Sequence, residues 1–167
     1  TSDTGRAAAI AGRQIAERNG VKTALSFSDP GMVSFFRDGL ADMLGDGVDL
    51  IFCNEAEALG WAQSESLDDA VLALKKIGKT FSITLGAKGA LVFDGEQLHS
   101  IAGHKVNAID TNGAGDMFAG AFLYAITHGH TFKEAGELAS LAAAEVVSQY
   151  GPRLAGPLHR ELLARMA

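Results

Sequence analysis

Residues 110–120 read Asp-Thr-Asn-Gly-Ala-Gly-Asp-Met-Phe-Ala-Gly, two carboxylates bracketing a turn of small residues with an apolar helical pattern directly behind it. Gly113, Ala114 and Gly115 carry almost no side chain, so a ligand can come close to their backbone. N–H groups at a helix start have no partner inside the helix and sit at the positive end of its dipole, which makes such a turn an anion site. Asp116 falls one residue into that helix. A carboxylate facing a bound phosphate is unfavourable unless it does chemistry. The chemistry it suits is accepting the proton of a hydroxyl as that oxygen attacks phosphorus. A bland alternative stands beside this one: a Gly-rich connector with Asp116 as a first-turn acid. Asp110, at the other end, has its own local explanation, capping the turn through the N–H of Asn112 or Gly113.

Three further constellations carry candidate chemistry. Asn54 and Glu57 stand one turn apart at a predicted helix start, and i,i+3 spacing puts them on one face. An amide with a carboxylate suits water-mediated Mg²⁺, and equally suits an N-cap completed by a capping box. Gly86 and Gly89 flank Ala87 and Lys88, a tight turn with Lys88 at a solvated tip on local grounds. Ser140 is a small residue on a predicted helix face, which packing alone would explain.

The run DTNGAGDMFAGAF over 110–122 resembles the C-terminal signature of the ribokinase-like (PfkB) family of sugar and nucleoside kinases, and its Asn112 is most similar to the adenosine-kinase branch. Asn54-Glu55-Ala56-Glu57 is similar to the family's NxxE motif, and Thr84-Leu85-Gly86-Ala87-Lys88-Gly89 to its TLGxxG nucleotide loop. The three occur in the family's order, and the likeness continues through Gly151 and Pro152. It implies ATP-dependent phosphotransfer to an alcohol group of a nucleoside, adenosine first, or of a sugar. Asp116 would be the base and Gly113, Ala114 and Gly115 the anion hole. Asn54, Thr84, Gly86, Lys88, Gly89, Gly115 and Ser140 would serve the nucleotide, and Glu57 the Mg²⁺. Asp110 and Asn112, with carbonyls near Val146, Gln149 and Gly151, would serve a K⁺ ion, although Ala155 stands where ribokinases offer a hydroxyl. The resemblance further implies that the first βα units, a β-sheet lid and most acceptor-recognising residues belong to an N-terminal half lying outside this chain. The 167 residues would then be one α/β domain, the ATP-binding part of a kinase, inactive alone and prone to self-association at an unpaired sheet edge.

The main rival is a non-catalytic nucleotide-binding module, against which Asp116 counts, since a pure binder needs no base facing a phosphate. Other motifs fail. Gly78-Lys79-Thr80 ends like a Walker A loop, but position 73 is Ala and a strand follows. A dinucleotide fingerprint beginning at Gly113 would need its third glycine where Phe118 stands. His128 and His130 lack companion ligands.

The elements that must hold these residues alternate. Helical spacing covers 6–19, with Ala8, Ile10, Ala11 and Ile15 as its apolar face, then 33–44, 54–60, 67–77, 113–128, 132–149 and 158–166. Strand patterns cover 23–27, 48–52 and 81–85, and 90–93 with 97–101 reads as a hairpin around Asp94-Gly95-Glu96. Strands separated by helices predict a mainly parallel sheet covered on both faces, a three-layer α/β/α fold with ligands outside the carboxyl ends of its strands. All three motifs fall just behind a strand, on one rim. Phe35, Phe36 and Trp61 read as core or lid-facing residues. A net charge of −6 argues against nucleic acid or a membrane surface as the main partner and leaves a small-molecule alcohol, with a homo-oligomer open. No apolar run approaches the ~20 residues of a spanning helix. The lone Cys53, behind an apolar run, suits a buried structural thiol and a cytoplasmic, reducing setting.

Overall fold

The computed structural model describes residues 2–154 and 157–164 and divides into two compact units, Thr1–Ile83 and Thr84–Ala167. The strands Ala24–Ser26, Val48–Asn54, Gly78–Thr84, Gly89–Phe93 and Leu98–Ala102 form a five-stranded sheet in that order, parallel between the first two and antiparallel between the last two. The mixed, mainly parallel α/β architecture expected from the alternating pattern is therefore present.

The first unit holds α1 (Asp3–Arg18), β1 (Ala24–Ser26), α2 (Pro30–Phe35), α3 (Arg37–Leu44), β2 (Val48–Asn54), α4 (Glu55–Ala62), α5 (Leu67–Leu74) and β3 (Gly78–Thr84), whose last residue opens the second unit. Leu50, Ile51, Phe52 and Cys53 are all buried, the unbroken apolar run of a strand covered on both faces. Asp49 ties the strands' other ends: its carboxylate accepts the Thr23 N–H at 2.8 Å and lies 2.8 Å from Lys79 Nζ, which holds its pKa below the usual carboxylate range. Cys53 is buried as expected, and burial pushes its thiol pKa well up.

Two expectations change here. The single helix expected over 33–44 is two, broken at Phe36, whose φ of −127° lies outside helical values. The break turns Arg37 against Trp61, with the guanidinium carbon 4.8 Å from the ring centroid and Nη2 donating to the Trp61 carbonyl at 3.1 Å. Trp61 is buried beside Phe27, but Phe35 and Phe36 are exposed and are not core residues. The apolar face expected on α1 forms on a helix none of whose residues is buried; Ile15 is 55% exposed. Arg13 anchors that helix by donating from Nε to the Met43 carbonyl at 2.8 Å.

The second unit starts with a single 3₁₀ turn (Gly86–Lys88) and continues with β4 (Gly89–Phe93), β5 (Leu98–Ala102), α6 (Ala114–Thr127), α7 (Phe132–Val147) and α8 (Leu158–Ala164). The expected hairpin is present, paired from Gly89↔Ala102 to Phe93↔Leu98. Gly136 lets α7 lie directly on it: a Cβ there would fall 2.9 Å from Ile101 and 3.0 Å from Val92. Phe122 links α6 to α7, edge-on to Phe132 at 5.4 Å. The expected end of the last helix, 165–166, and Ala155 lie outside the described residues. Among the described residues no helix is long and apolar enough to cross a membrane.

Candidate active site

The small residues at 113–115 are small for different reasons. Gly113 sits at the N-cap of α6 with φ +78°, a left-handed conformation that disfavours any Cβ. A Cβ there would also fall 2.4 Å from Pro152 Cβ and 2.7 Å from the Pro152 backbone. Gly113 is thus required by the fold. Gly115 has no such constraint: an added Cβ would meet nothing within 4 Å, and its φ is not in the left-handed region.

The turn's donors are largely free. Asn112 N–H is held by Asp110 Oδ1 at 3.0 Å, Ala114 N–H by the Thr111 carbonyl at 3.3 Å, and Met117 N–H by the Gly113 carbonyl at 2.8 Å. No acceptor among the described residues pairs with the amides of Gly113, Gly115 and Asp116. The Asp116 carboxylate is exposed and makes no hydrogen bond or ion pair to a described residue. Three unpaired donors at the positive end of a 14-residue helix, with an uncommitted carboxylate beside them, can bind an anion and accept a proton near it.

Asp110 is tied down. Its second oxygen accepts Gly151 N–H at 3.1 Å, and the neighbouring Ile109 N–H donates to the Val147 carbonyl at 2.7 Å. The amides of Asn112 and Gly151 hold the Asp110 carboxyl below its ordinary pKa. The turn-capping role read locally for Asp110 is present, extended by the bond to Gly151.

A cleft of about 800 Å³ opens within this unit. Thr84, Gly86 and Gly89 line one part of it, and Ala114, Gly115 and Phe118 another. Ser140 of α7 contributes a wall, its Oγ donating to the Ala102 carbonyl at 3.0 Å. Thr84, Gly86, Gly89, Ala114, Gly115 and Ser140, of the residues singled out in the sequence, therefore share one cavity, and Gly113 does not line it. Lys88 and Asp116 are exposed and are not among its lining residues. Sequence reasoning missed the loop His104–Ala108 and the α7 residues Ala143, Ala144 and Val147. Both carried a signal: the loop leaves the end of β5 directly before the turn, and the α7 residues lie three, four and seven positions after Ser140, on its face.

Asn54 and Glu57, in the first unit, form a complete capping box. Asn54 Oδ1 accepts Glu57 N–H, Glu57 Oε2 accepts Asn54 N–H, and Asn54 Nδ2 donates to Glu57 Oε1, each at 2.9 Å. Glu57 is nevertheless 4% exposed, and its pKa is raised by burial first, opposed by the Asn54 N–H, and raised further by the charge of Asp29. A buried carboxylate near a second carboxylate is a donor set that a divalent cation would relieve. No group of three His, Cys, Asp or Glu side chains placed to hold a metal occurs among the described residues.

These features are an α/β fold with a turn of free amides beside a cleft, and comparison with known proteins gives the family. The pfkB family carbohydrate kinase profile matches residues 3–158, and the chain belongs to that family. It is 35% identical over 156 residues to a ribokinase of Haemophilus influenzae, covering 90% of this chain and 49% of that protein. It is 30% identical over 153 residues to an adenosine kinase of Schizophyllum commune, covering 80% and 44%. The solved structure of adenosine kinase from Sinorhizobium meliloti superposes with a TM-score of 0.87 at 32% identity, over 98% of this chain and 49% of that one. The chain spans about half the length of the curated relatives it matches.

Proposed function

We propose that this chain is the donor-binding and phosphoryl-transfer half of an ATP-dependent sugar or nucleoside kinase, with adenosine as the first acceptor to test and a ribose-type alcohol the second. One observation carries it: three unpaired amides at the start of α6 beside an uncommitted Asp116. Phosphoryl transfer asks mainly for positioning and for neutralising charge on the transferring group, and backbone donors that need no reorganisation supply both. The Gly113–Gly115 turn holds the phosphate through the free amides of Gly113, Gly115 and Asp116, the Asp116 carboxylate takes the acceptor's proton, and the cleft seats the nucleotide against Thr84, Gly86, Gly89 and Ser140. Lys88 serves from the exposed tip of its turn.

Glu57 and Asn54 are the residues that would hold Mg²⁺, directly or through water, and the ion when bound supplies positive charge to the phosphates. Asp110 and Asn112 are the candidates for K⁺.

Asp116→Asn in the intact enzyme tests the assignment. Turnover should fall about 10²–10⁴-fold, the usual contribution of a general base, while ATP affinity stays nearly unchanged. Unchanged turnover would remove Asp116 from the chemistry and move the proton-accepting role to another group.

A further inference from the structure

The segment 149–154, which follows α7, meets the anion turn at close quarters. Gly113 lies flush against Pro152, close enough that a methyl group on Gly113 would strike Pro152 Cβ, Cα and O at 2.4–2.7 Å. The corner itself is held at three points. Gly151 N–H donates to Asp110 Oδ2 at 3.1 Å, Gln149 Nε2 donates to the Arg153 carbonyl at 2.8 Å, and Leu154 is buried. Gly151, at φ +89°, turns the chain so that Pro152 faces Gly113. Proline then fixes its own φ and brings no N–H that would need a partner there.

We propose that Pro152 is a positioning residue for the anion turn: it sets where Gly113 lies, and through Gly113 where the unpaired amides of Gly113, Gly115 and Asp116 point. Pro152 is not among the residues lining the cleft, so it acts through the turn and without touching the nucleotide. The proposal rests on the turn's role as a phosphate site. A hydrogen bond weakens steeply once its angle falls below about 120°, so a small rotation of the turn is enough to lose a donor. Losing one charge-assisted bond corresponds to about tenfold in Kd.

The test uses the full chain with Pro152→Gly and Pro152→Ala. ATP with Mg²⁺ is titrated calorimetrically, and amide hydrogen exchange is followed across residues 110–117. Pro152→Gly removes the Cβ that abuts Gly113 and frees φ. It should weaken ATP by about tenfold and speed exchange at Asn112 and Met117, with the β4–β5 hairpin unchanged. Pro152→Ala keeps Cβ and should stay close to wild type. If Pro152→Gly does not fold, Gln149→Ala loosens the same corner, and its exchange at 112 and 117 is read instead. Wild-type affinity and exchange in the folded variant overturn the proposal. If the wild-type chain binds no ATP while exchange still rises locally in the variant, the buttress stands and the phosphate role of the turn is what fails.

Discussion

Gly115 separates a folding requirement from a binding requirement, and Gly115→Val is the perturbation that exposes it. A Cβ at this position meets nothing within 4 Å and its backbone is not left-handed, so the fold tolerates a side chain. Valine is a slightly better helix former than glycine, and the expected change in stability is within about 0.5 kcal/mol. Gly115 lines the cleft, so in the proposed site the same side chain would crowd a phosphate closing on the free amides. Forfeiting one charge-assisted hydrogen bond costs about 1.5–3 kcal/mol, roughly tenfold to a hundredfold in Kd. Gly113→Ala is the control of opposite kind: a left-handed φ costs about 1–2 kcal/mol before the clash with Pro152 is counted. Urea midpoints and ATP titrations on both variants decide the matter. Gly115→Val should unfold like wild type and bind ATP poorly, and Gly113→Ala should lose stability. A Gly115→Val protein that binds ATP normally would reduce the turn to a connector. One destabilised as much as Gly113→Ala would mean the space above Gly115 is not open.

Three other expectations follow from the same structure. Ser82 is fully buried, and its Oγ has no partner among the described residues. Ser82→Ala should raise stability by about 1 kcal/mol by removing an unsatisfied hydroxyl, and a fall in the urea midpoint would show that the hydroxyl is bonded. Asp94 accepts the Glu96 and Gln97 amides and lies 2.7 Å from His99 Nε2, and its carboxyl is held down to about 2 from 3.8, by His99 first. A folded pKa below the unfolded one contributes stability above 3.8 that is lost as pH falls toward 2. Asp94→Asn should therefore be less stable near neutrality and converge with wild type in acid; a constant gap across the titration would refute the linkage. Replacing a bulky organic cation by K⁺ should raise the activity of the intact enzyme through Asp110, and equal rates would remove the cation site.

Much of this architecture was legible because its signals are local. The hairpin at 89–102 announces itself by alternation around Asp94-Gly95-Glu96, and the Asn54 cap by a Glu three residues on. Two elements departed from their pattern for reasons that lie far off in sequence. The break at Phe36 accompanies the stacking of Arg37 on Trp61, a contact 24 residues away that no helical period contains. The apolar stripe of α1 has the right spacing yet is not buried, because periodicity describes a face and not what covers it. In the site, the glycines at 113 and 115 look alike in sequence. Only the approach of Pro152, 39 positions after the first of them, shows which one the fold demands. The loop His104–Ala108 was overlooked because its residue types match no catalytic motif; it enters the site by position alone.

Asn54 and Glu57 show how a local explanation can be complete and still not sufficient. Every bond of a capping box is present, so the start of α4 needs nothing more from these two side chains. A solvent-exposed glutamate would satisfy that geometry without penalty. Glu57 is instead buried, and the charge of Asp29 adds to the burial in raising its pKa. Capping gains nothing from that burial, since an amide acceptor stands in for a carboxylate at the third helical position. The proposed Mg²⁺ would offset that charge, and oxygen donors of this kind suit it. In the proposed Mg²⁺ site the two roles would cooperate. The cap fixes the carboxylate's rotamer before any ion arrives, so that binding does not have to order it.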